Sequence, residues 1–166
     1  MQWWVGLTRA GNLPWIGVGT GRRAWVIGAM RLTIKSAEDR TTVLVCITCR
    51  TPEDLADAPR KGLALADATR LALGDEIDVE VKRVRCLGNC NRGLSAAIRR
   101  EKAWTYVFGH LDAERDGPTL ITGARLYAGS SDGLMPWRGR PEPLKRGLIA
   151  RVPPIDFEGE PIESKA

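Results

Sequence analysis

Four cysteines, the only ones in this chain of 166 residues, form two close pairs. Two residues separate Cys46 from Cys49, and three separate Cys86 from Cys90. Thiolates are soft ligands suited to zinc, copper(I) and iron–sulfur clusters, and four of them complete an all-sulfur site. The spacing therefore predicts a metal or cluster site with four ligands: Cys46, Cys49, Cys86 and Cys90.

Several chemistries compete for these cysteines. A structural zinc site fits the first pair, whereas the second pair and the long spacer between the pairs fit less well. A dithiol redox site would use Cys46 and Cys49 after a strand, but it would leave Cys86 and Cys90 unexplained. Small buried cysteines without chemistry are a further alternative. An iron–sulfur cluster would use all four thiolates.

The residues around the pairs favour the cluster. Gly88 allows a tight turn whose backbone N–H groups can point at sulfur and stabilise its negative charge. Arg50, Arg85 and Arg92 flank the ligands and favour an anionic site, although each also fits a solvated surface charge. The lone histidine, His110, is expected to have a surface or packing role rather than to be a ligand. No residue is predicted to be a catalytic acid, base or nucleophile, so an enzyme is not expected.

The first half of the chain predicts strand, helix, strand. Residues 41–46 are a β-branched apolar run, residues 60–73 have helical periodicity up to Gly74, and residues 77–84 alternate. A crossover of this length joins parallel strands, whose carboxyl ends meet at one edge of the sheet. We therefore expect the two cysteine pairs to meet there.

The second half predicts a hairpin and another helix. Residues 94–99 and 104–110 suit an antiparallel pair, although a helical turn over 94–101 is an alternative. Residues 119–127 follow Pro118 and predict a helix. A further short edge strand at 31–36 is an alternative to an irregular lead-in. The expected fold class is α/β, with a mixed sheet of about four strands and two main helices.

Three segments are expected along the chain. Residues 1–30 are predicted to be a disordered leader, or to precede a translation start at Met30. Residues 31–129 form the metal-binding domain. Residues 130–166 are rich in proline and are predicted to be an irregular C-terminal extension.

Charge and hydropathy exclude some classes of protein. The net charge of +5 depends largely on three arginines before residue 30, so the rest is nearly neutral and nucleic acid is not an expected partner. No apolar run approaches the roughly 20 residues that span a bilayer, and no signal peptide pattern occurs. A cytoplasmic protein without membrane association is therefore expected, in a reducing compartment where cysteine pairs indicate metal or redox sites.

Four segments resemble a known bacterial family. They are Val45-Cys-Ile-Thr-Cys-Arg50, Cys86-Leu-Gly-Asn-Cys-Asn-Arg-Gly93, Trp104-Thr-Tyr-Val-Phe-Gly109 and Asp132-Gly-Leu-Met-Pro-Trp-Arg138. The family is of unknown function and is described as predicted metal-binding or thioredoxin-like 2Fe-2S ferredoxin proteins. The segment Cys86-Leu-Gly-Asn-Cys90 itself resembles the second ligand pair of the thioredoxin-like 2Fe-2S ferredoxins.

The resemblance implies a thioredoxin-like sheet with a 2Fe-2S cluster at one edge and one-electron transfer to a protein redox partner. Its implied ligands are the four cysteines: Cys46, Cys49, Cys86 and Cys90. The gap inside the first pair is shorter here than those ferredoxins usually have, so zinc stays open as the alternative cofactor. The alternative functions are a zinc-stabilised protein-binding module and, third, a thiol–disulfide oxidoreductase.

Overall fold

The structure is a computed structural model that describes residues 40–51 and 53–159. These residues belong to one compact unit, Ile34–Ala166, and the other unit, Met1–Thr33, lies outside the described residues. The predictions for the leader at 1–30, for the short strand at 31–36 and for the last residues, 160–166, concern segments outside the described residues.

The described chain begins with strand, helix, strand, continues with two further strands and two helices, and ends with a strand. The elements are β1 (Thr41–Cys46), α1 (Lys61–Leu73), β2 (Val79–Val84), β3 (Leu94–Arg99), β4 (Thr105–Leu111), α2 (Asp116–Ala128), α3 (Glu142–Arg146) and β5 (Leu148–Val152). Within these residues the five strands form one sheet in the order β2-β1-β3-β4-β5. The predicted α/β class and mixed sheet are confirmed.

Strands β1 and β2 pair in parallel, as predicted. Their register runs from Thr41 opposite Val79 to Cys46 opposite Val84. The β-branched run of β1 suits this position because alternate side chains, those of Val43 and Val45, are fully buried. The carboxyl ends of both strands therefore lie at the same edge of the sheet.

Helices α1 and α2 pack against each other and both contact β1, so they cover one face of the sheet. Gly74 ends α1 with a φ of +58°, a conformation that glycine adopts without a steric penalty. Leu65 of α1 and Leu120 of α2 are fully buried in the core. None of the described helices has the length and apolar character needed to cross a membrane.

Strands β3 and β4 form the predicted antiparallel hairpin, and the alternative of a helical turn over 94–101 is wrong. Ala96 faces Phe108 and Ile98 faces Tyr106 across the pair. Strand β3 also pairs with β1, so it is central and its first five residues are buried. A strand buried on both faces lacks the alternation of apolar and polar residues that identifies a strand. Sequence periodicity therefore could not exclude a helix over these residues.

The C-terminal region differs from its prediction. Residues 142–152, expected to be irregular, form α3 and β5, and β5 pairs antiparallel with β4. The sheet of the described chain therefore has five strands, one more than about four. Prolines stand at the start of α3 and after β5 but not inside β5, so each sits where a missing N–H is tolerated. Leu144 of α3 is fully buried and anchors this region.

Candidate metal centre

The first cysteine pair lies in a buried turn. Cys46 is the last residue of β1, and Cys49 follows in the turn towards α1. The two residues are only 1% and 4% exposed. Both thiols are free of disulfide bonds. This half of the candidate site is therefore almost completely shielded from solvent.

Gly62, in the first turn of α1, packs directly against this cysteine turn. Its N–H donates to the carbonyl of Cys49 at 3.2 Å. A Cβ at Gly62 would lie 2.2 Å from the carbonyl oxygen of Cys46 and 3.0 Å from the nitrogen of Cys49. The close approach therefore requires glycine. It also sets the positive end of the α1 dipole beside the pair, where it favours a thiolate.

A polar brace holds the chain between the first pair and α1. The carboxylate of Asp54 accepts hydrogen bonds from the N–H and hydroxyl of Thr51 at 2.8 and 2.9 Å. Lys61 Nζ lies 2.6 Å from Asp54 Oδ1. The interaction with Lys61, aided by Thr51, lowers the pKa of Asp54 to about 2. The brace ties the start of α1 to the residues that follow Cys49.

The second cysteine pair lies on an exposed loop. Cys86 follows the end of β2, and Cys90 begins a short 3₁₀ turn, Cys90–Arg92. Both residues are exposed and free of disulfide bonds. Gly88 has a φ of +69°, and its N–H donates to Cys86 Sγ at 3.2 Å. The prediction of a glycine turn with an N–H directed at sulfur is confirmed for Gly88 and Cys86.

The two cysteine loops touch through β1 and the end of β2. The N–H of Ile47 donates to the carbonyl of Val84 at 2.9 Å. The hydroxyl of Thr48 donates to the carbonyl of Arg85, and the thiol of Cys46 donates to the same carbonyl at 3.5 Å. The first thiol thus lies against the peptide that precedes Cys86. The prediction that both pairs lie at one edge of the sheet is confirmed, whereas the expected meeting of the four thiols stays a prediction.

Ser95 makes a second link between the loops, which the sequence did not predict. This residue of β3 is fully buried, and its hydroxyl accepts a hydrogen bond from Asn89 Nδ2 at 3.0 Å. Ser95 also hydrogen-bonds to Cys49, and this interaction lowers the pKa of the Cys49 thiol in part, although other effects raise it. Ser95 therefore connects the first pair to the residue before Cys90. The sequence signal for this link is the serine hydroxyl within the otherwise apolar run of β3.

The two buried thiols differ in acidity. Burial opposes ionisation of Cys46, but hydrogen bonds from the Cys49 thiol and from Thr48 outweigh it and lower the pKa of Cys46. Burial, with the hydrogen bond to Cys46 and the charge of that thiolate, raises the pKa of Cys49 to about 12. The two thiols of this pair therefore differ, and Cys46 gives up its proton more readily than Cys49.

The chemistry of the donor set fits a thiophilic metal or cluster. Four free thiols lie on two adjoining loops, and a glycine N–H already contacts one sulfur. In the described residues, however, no group of three or more His, Cys, Asp or Glu side chains is arranged to hold a metal ion. The structure thus has two halves at one edge, and the assignment of all four cysteines as ligands stays a prediction.

The flanking charged residues have different surroundings. Arg50 is half-buried and donates to the carbonyls of Leu55, at 3.1 Å, and Ala56, so it stabilises the loop after Cys49. Arg85 and Arg92 are exposed beside the second pair. His110 is exposed at a φ of +54° in β4, which agrees with the predicted surface role.

Comparison with known proteins gives one family and one similar structure. A family model described as "Protein of unknown function (DUF1636)" matches residues 43–154, which include all four cysteines. This match confirms the resemblance to a family of unknown function. The solved thioredoxin-like [2Fe-2S] ferredoxin from Aquifex aeolicus is similar, with 17% identity and a TM-score of 0.46. The likeness covers 71% of this chain and 98% of that ferredoxin. No curated protein matches the chain.

Proposed function

Because this chain belongs to the DUF1636 family of proteins of unknown function, we propose a function from its own residues: it is a metal-binding protein that carries a 2Fe-2S cluster and exchanges single electrons with a partner protein. The proposed ligands are the four thiolates of Cys46, Cys49, Cys86 and Cys90. When bound, such a cluster would supply a one-electron redox couple.

The observation that carries this proposal is the contact between the two cysteine loops. The thiol of Cys46 lies 3.5 Å from the carbonyl oxygen of Arg85, the residue directly before Cys86. Loops distant in sequence meet here because β1 and β2 run in parallel. The fold thus brings together two loops that each carry two thiols. Four soft sulfur donors on adjoining loops match the ligand set of a four-thiolate site.

The two cysteine loops would have different roles in such a site. The buried turn of Cys46 and Cys49 would exclude water from one side of the cluster. The N–H of Gly88, which contacts Cys86 Sγ, would stabilise negative charge on sulfur and so raise the reduction potential. The exposed loop of Cys86 and Cys90 would face a partner, because electron transfer requires close approach.

Anaerobic purification with analysis of iron, sulfide and zinc tests the proposal. We expect two iron and two sulfide ions per chain, visible absorption, and an electron paramagnetic resonance signal after reduction by one electron. Serine replacement of each cysteine in turn should remove or alter these signals. Asn91→Ser is the matched control, since it changes an exposed residue beside Cys90 without removing a thiol. Material that stays colourless and iron-free after reconstitution with iron and sulfide would contradict the cluster.

Zinc is the second candidate metal. The two-residue gap between Cys46 and Cys49 is that of a common zinc half-site, and the pair is buried against α1 as a structural site would be. In that case the protein would be a zinc-stabilised binding module. One tightly bound zinc ion per chain, with no visible absorption, would support this alternative and exclude the cluster.

A thiol–disulfide oxidoreductase has less support. Its attacking thiol must reach a substrate disulfide, but Cys46 and Cys49 are 1% and 4% exposed.

A further inference from the structure

A cleft with a buried arginine lies apart from the cysteine loops. It has a volume of about 330 Å³ and lies between the sheet at β4 and β5 and the segment that precedes α3. Its apolar lining comes from Leu134, Met135 and Leu148, with Trp137 as an exposed wall. Tyr106 and two guanidinium side chains, those of Arg140 and Arg151, complete the lining.

Arg140 is buried with an unsatisfied donor. The residue is 7% exposed, and its guanidinium carbon lies 5.3 Å from the ring centroids of both Tyr106 and Trp137. Nη2 donates to the carbonyl of Met135. The Nε–H is buried and has no hydrogen-bond partner. No carboxylate among the described residues forms an ion pair with Arg140.

The burial of Arg140 without a counter-ion favours the binding of an anion. A buried charge without a counter-ion is unfavourable, and contact with two aromatic faces offsets only part of that cost. Arg140 lines the cleft, and guanidinium N–H groups bind carboxylates strongly through charge-assisted hydrogen bonds.

Arg151 adds a second positive charge to the cleft. Its guanidinium carbon lies 4.6 Å from the ring centroid of Trp104, and no ion pair with a described carboxylate neutralises it. Lys145 also stands near Trp137, at 5.6 Å from the ring centroid, but Glu142 partners it at 3.6 Å. The lining of the cleft contains no acidic side chain. Its charge is therefore positive while most of its walls are apolar.

We propose that this cleft binds a small organic acid, with the carboxylate on Arg140 and an apolar or aromatic body against Leu134, Met135 and Leu148. The volume is at the lower end of the range for ligand pockets, about 300–1,000 Å³, which favours a small molecule. Arg151 draws the anion in and contacts its outer side. The site is independent of the cysteines, so it does not require a bound metal.

Titration of the full chain with benzoate tests the proposal. The readout is the ¹⁵N–¹H resonance of Arg140 Nε, which should shift saturably with a dissociation constant of about 1 mM or lower. Benzyl alcohol has the same ring without the charge, and sulfate has charge without the ring. Each should bind at least about tenfold more weakly than benzoate. Equal binding of benzyl alcohol, equal binding of sulfate, or no shift with benzoate up to about 10 mM would overturn the proposal.

Variants separate binding from folding. Arg140→Lys keeps the charge but loses the planar guanidinium, and it should weaken benzoate binding by about tenfold. Arg151→Gln changes an exposed residue that can be replaced without disturbing the core, and it should weaken binding by about threefold. Arg138→Gln, at an exposed residue nearby, should leave binding unchanged. Full affinity in both Arg140→Lys and Arg151→Gln would overturn the assignment.

Discussion

The two cysteine loops lie side by side at one edge of the sheet but are built differently. The loop with Cys46 and Cys49 is buried, pressed by Gly62 of α1 and tied to that helix by Asp54 and Lys61. The loop with Cys86 and Cys90 is exposed. It follows the edge strand β2, and it contacts the rest of the fold through the carbonyl of Arg85, the hydrogen bond of Asn89 to Ser95 and the packing of Leu87.

This difference indicates that one half of the candidate site is rigid and that the other half is open to solvent. A preorganised pair loses little conformational entropy when it binds a ligand, so it can set the position of a metal. An exposed loop can adjust to complete the coordination and can be reached by another protein. Glycine has a different task in each half: close packing at Gly62 and a positive φ at Gly88.

The largest expected difference between the halves is in thiol reactivity. In the reduced, metal-free protein we expect Cys86 and Cys90 to be alkylated about 1,000-fold faster than Cys46 and Cys49. The buried thiols react only after local opening, and this factor corresponds to about 4 kcal/mol of opening free energy. Time-resolved mass spectrometry of peptides after iodoacetamide treatment measures both rates. Urea-unfolded protein is the control, in which all four rates should converge; equal rates in the native protein would refute the rigid half.

The glycines should show the next largest contrast. Gly62→Ala places a Cβ against two backbone atoms of the first pair, and we expect a loss of about 3 kcal/mol in the free energy of unfolding. Gly88→Ala meets no atom within 4 Å but requires a positive φ, and we expect a loss of about 1 kcal/mol.

Urea denaturation measures both losses. Gly129→Ala is the matched control, because its φ is −75° and its nearest atom would be 3.6 Å away; it should change stability by less than about 0.5 kcal/mol. If Gly88→Ala cost as much as Gly62→Ala, the two loops would not differ as described.

The smallest expected effect concerns the brace at Asp54. Its pKa in the folded protein is about 2, below the usual value of about 3.9. A lowered pKa of a carboxyl group stabilises the fold above the unfolded-state value, and the contribution is lost as the pH falls towards 2. Asp54→Asn should therefore be less stable than the natural protein at pH 7, with the difference vanishing near pH 2.

Thermal unfolding from pH 7 to pH 2 follows this difference. Asp57→Asn, an exposed change in the same loop, is the control and should show no comparable trend. A stability gap between Asp54→Asn and the natural protein that persists unchanged at pH 2 would show that the carboxylate charge is not what holds the loop.

Much of the fold can be predicted from local pattern because the relevant forces act locally. Strand β1 has the bounds that its β-branched run predicts, and Gly74 ends α1 as its conformational freedom suggests. Strand β5 was missed because five residues among prolines give too weak a signal. Its partner β4 precedes it by more than thirty residues, so the pairing is decided by long-range contact.

For the candidate site, the sequence by itself determined which thiols are available and at which edge of the sheet their loops lie. Four thiols occur in two pairs, and parallel strands must end at the same edge. Only the tertiary structure decided that one pair is buried and the other exposed, because burial depends on what packs there from elsewhere. The contacts of Gly62 with Cys46 and of Ser95 with Cys49 and Asn89 join separate elements, and no local pattern of residues encodes them.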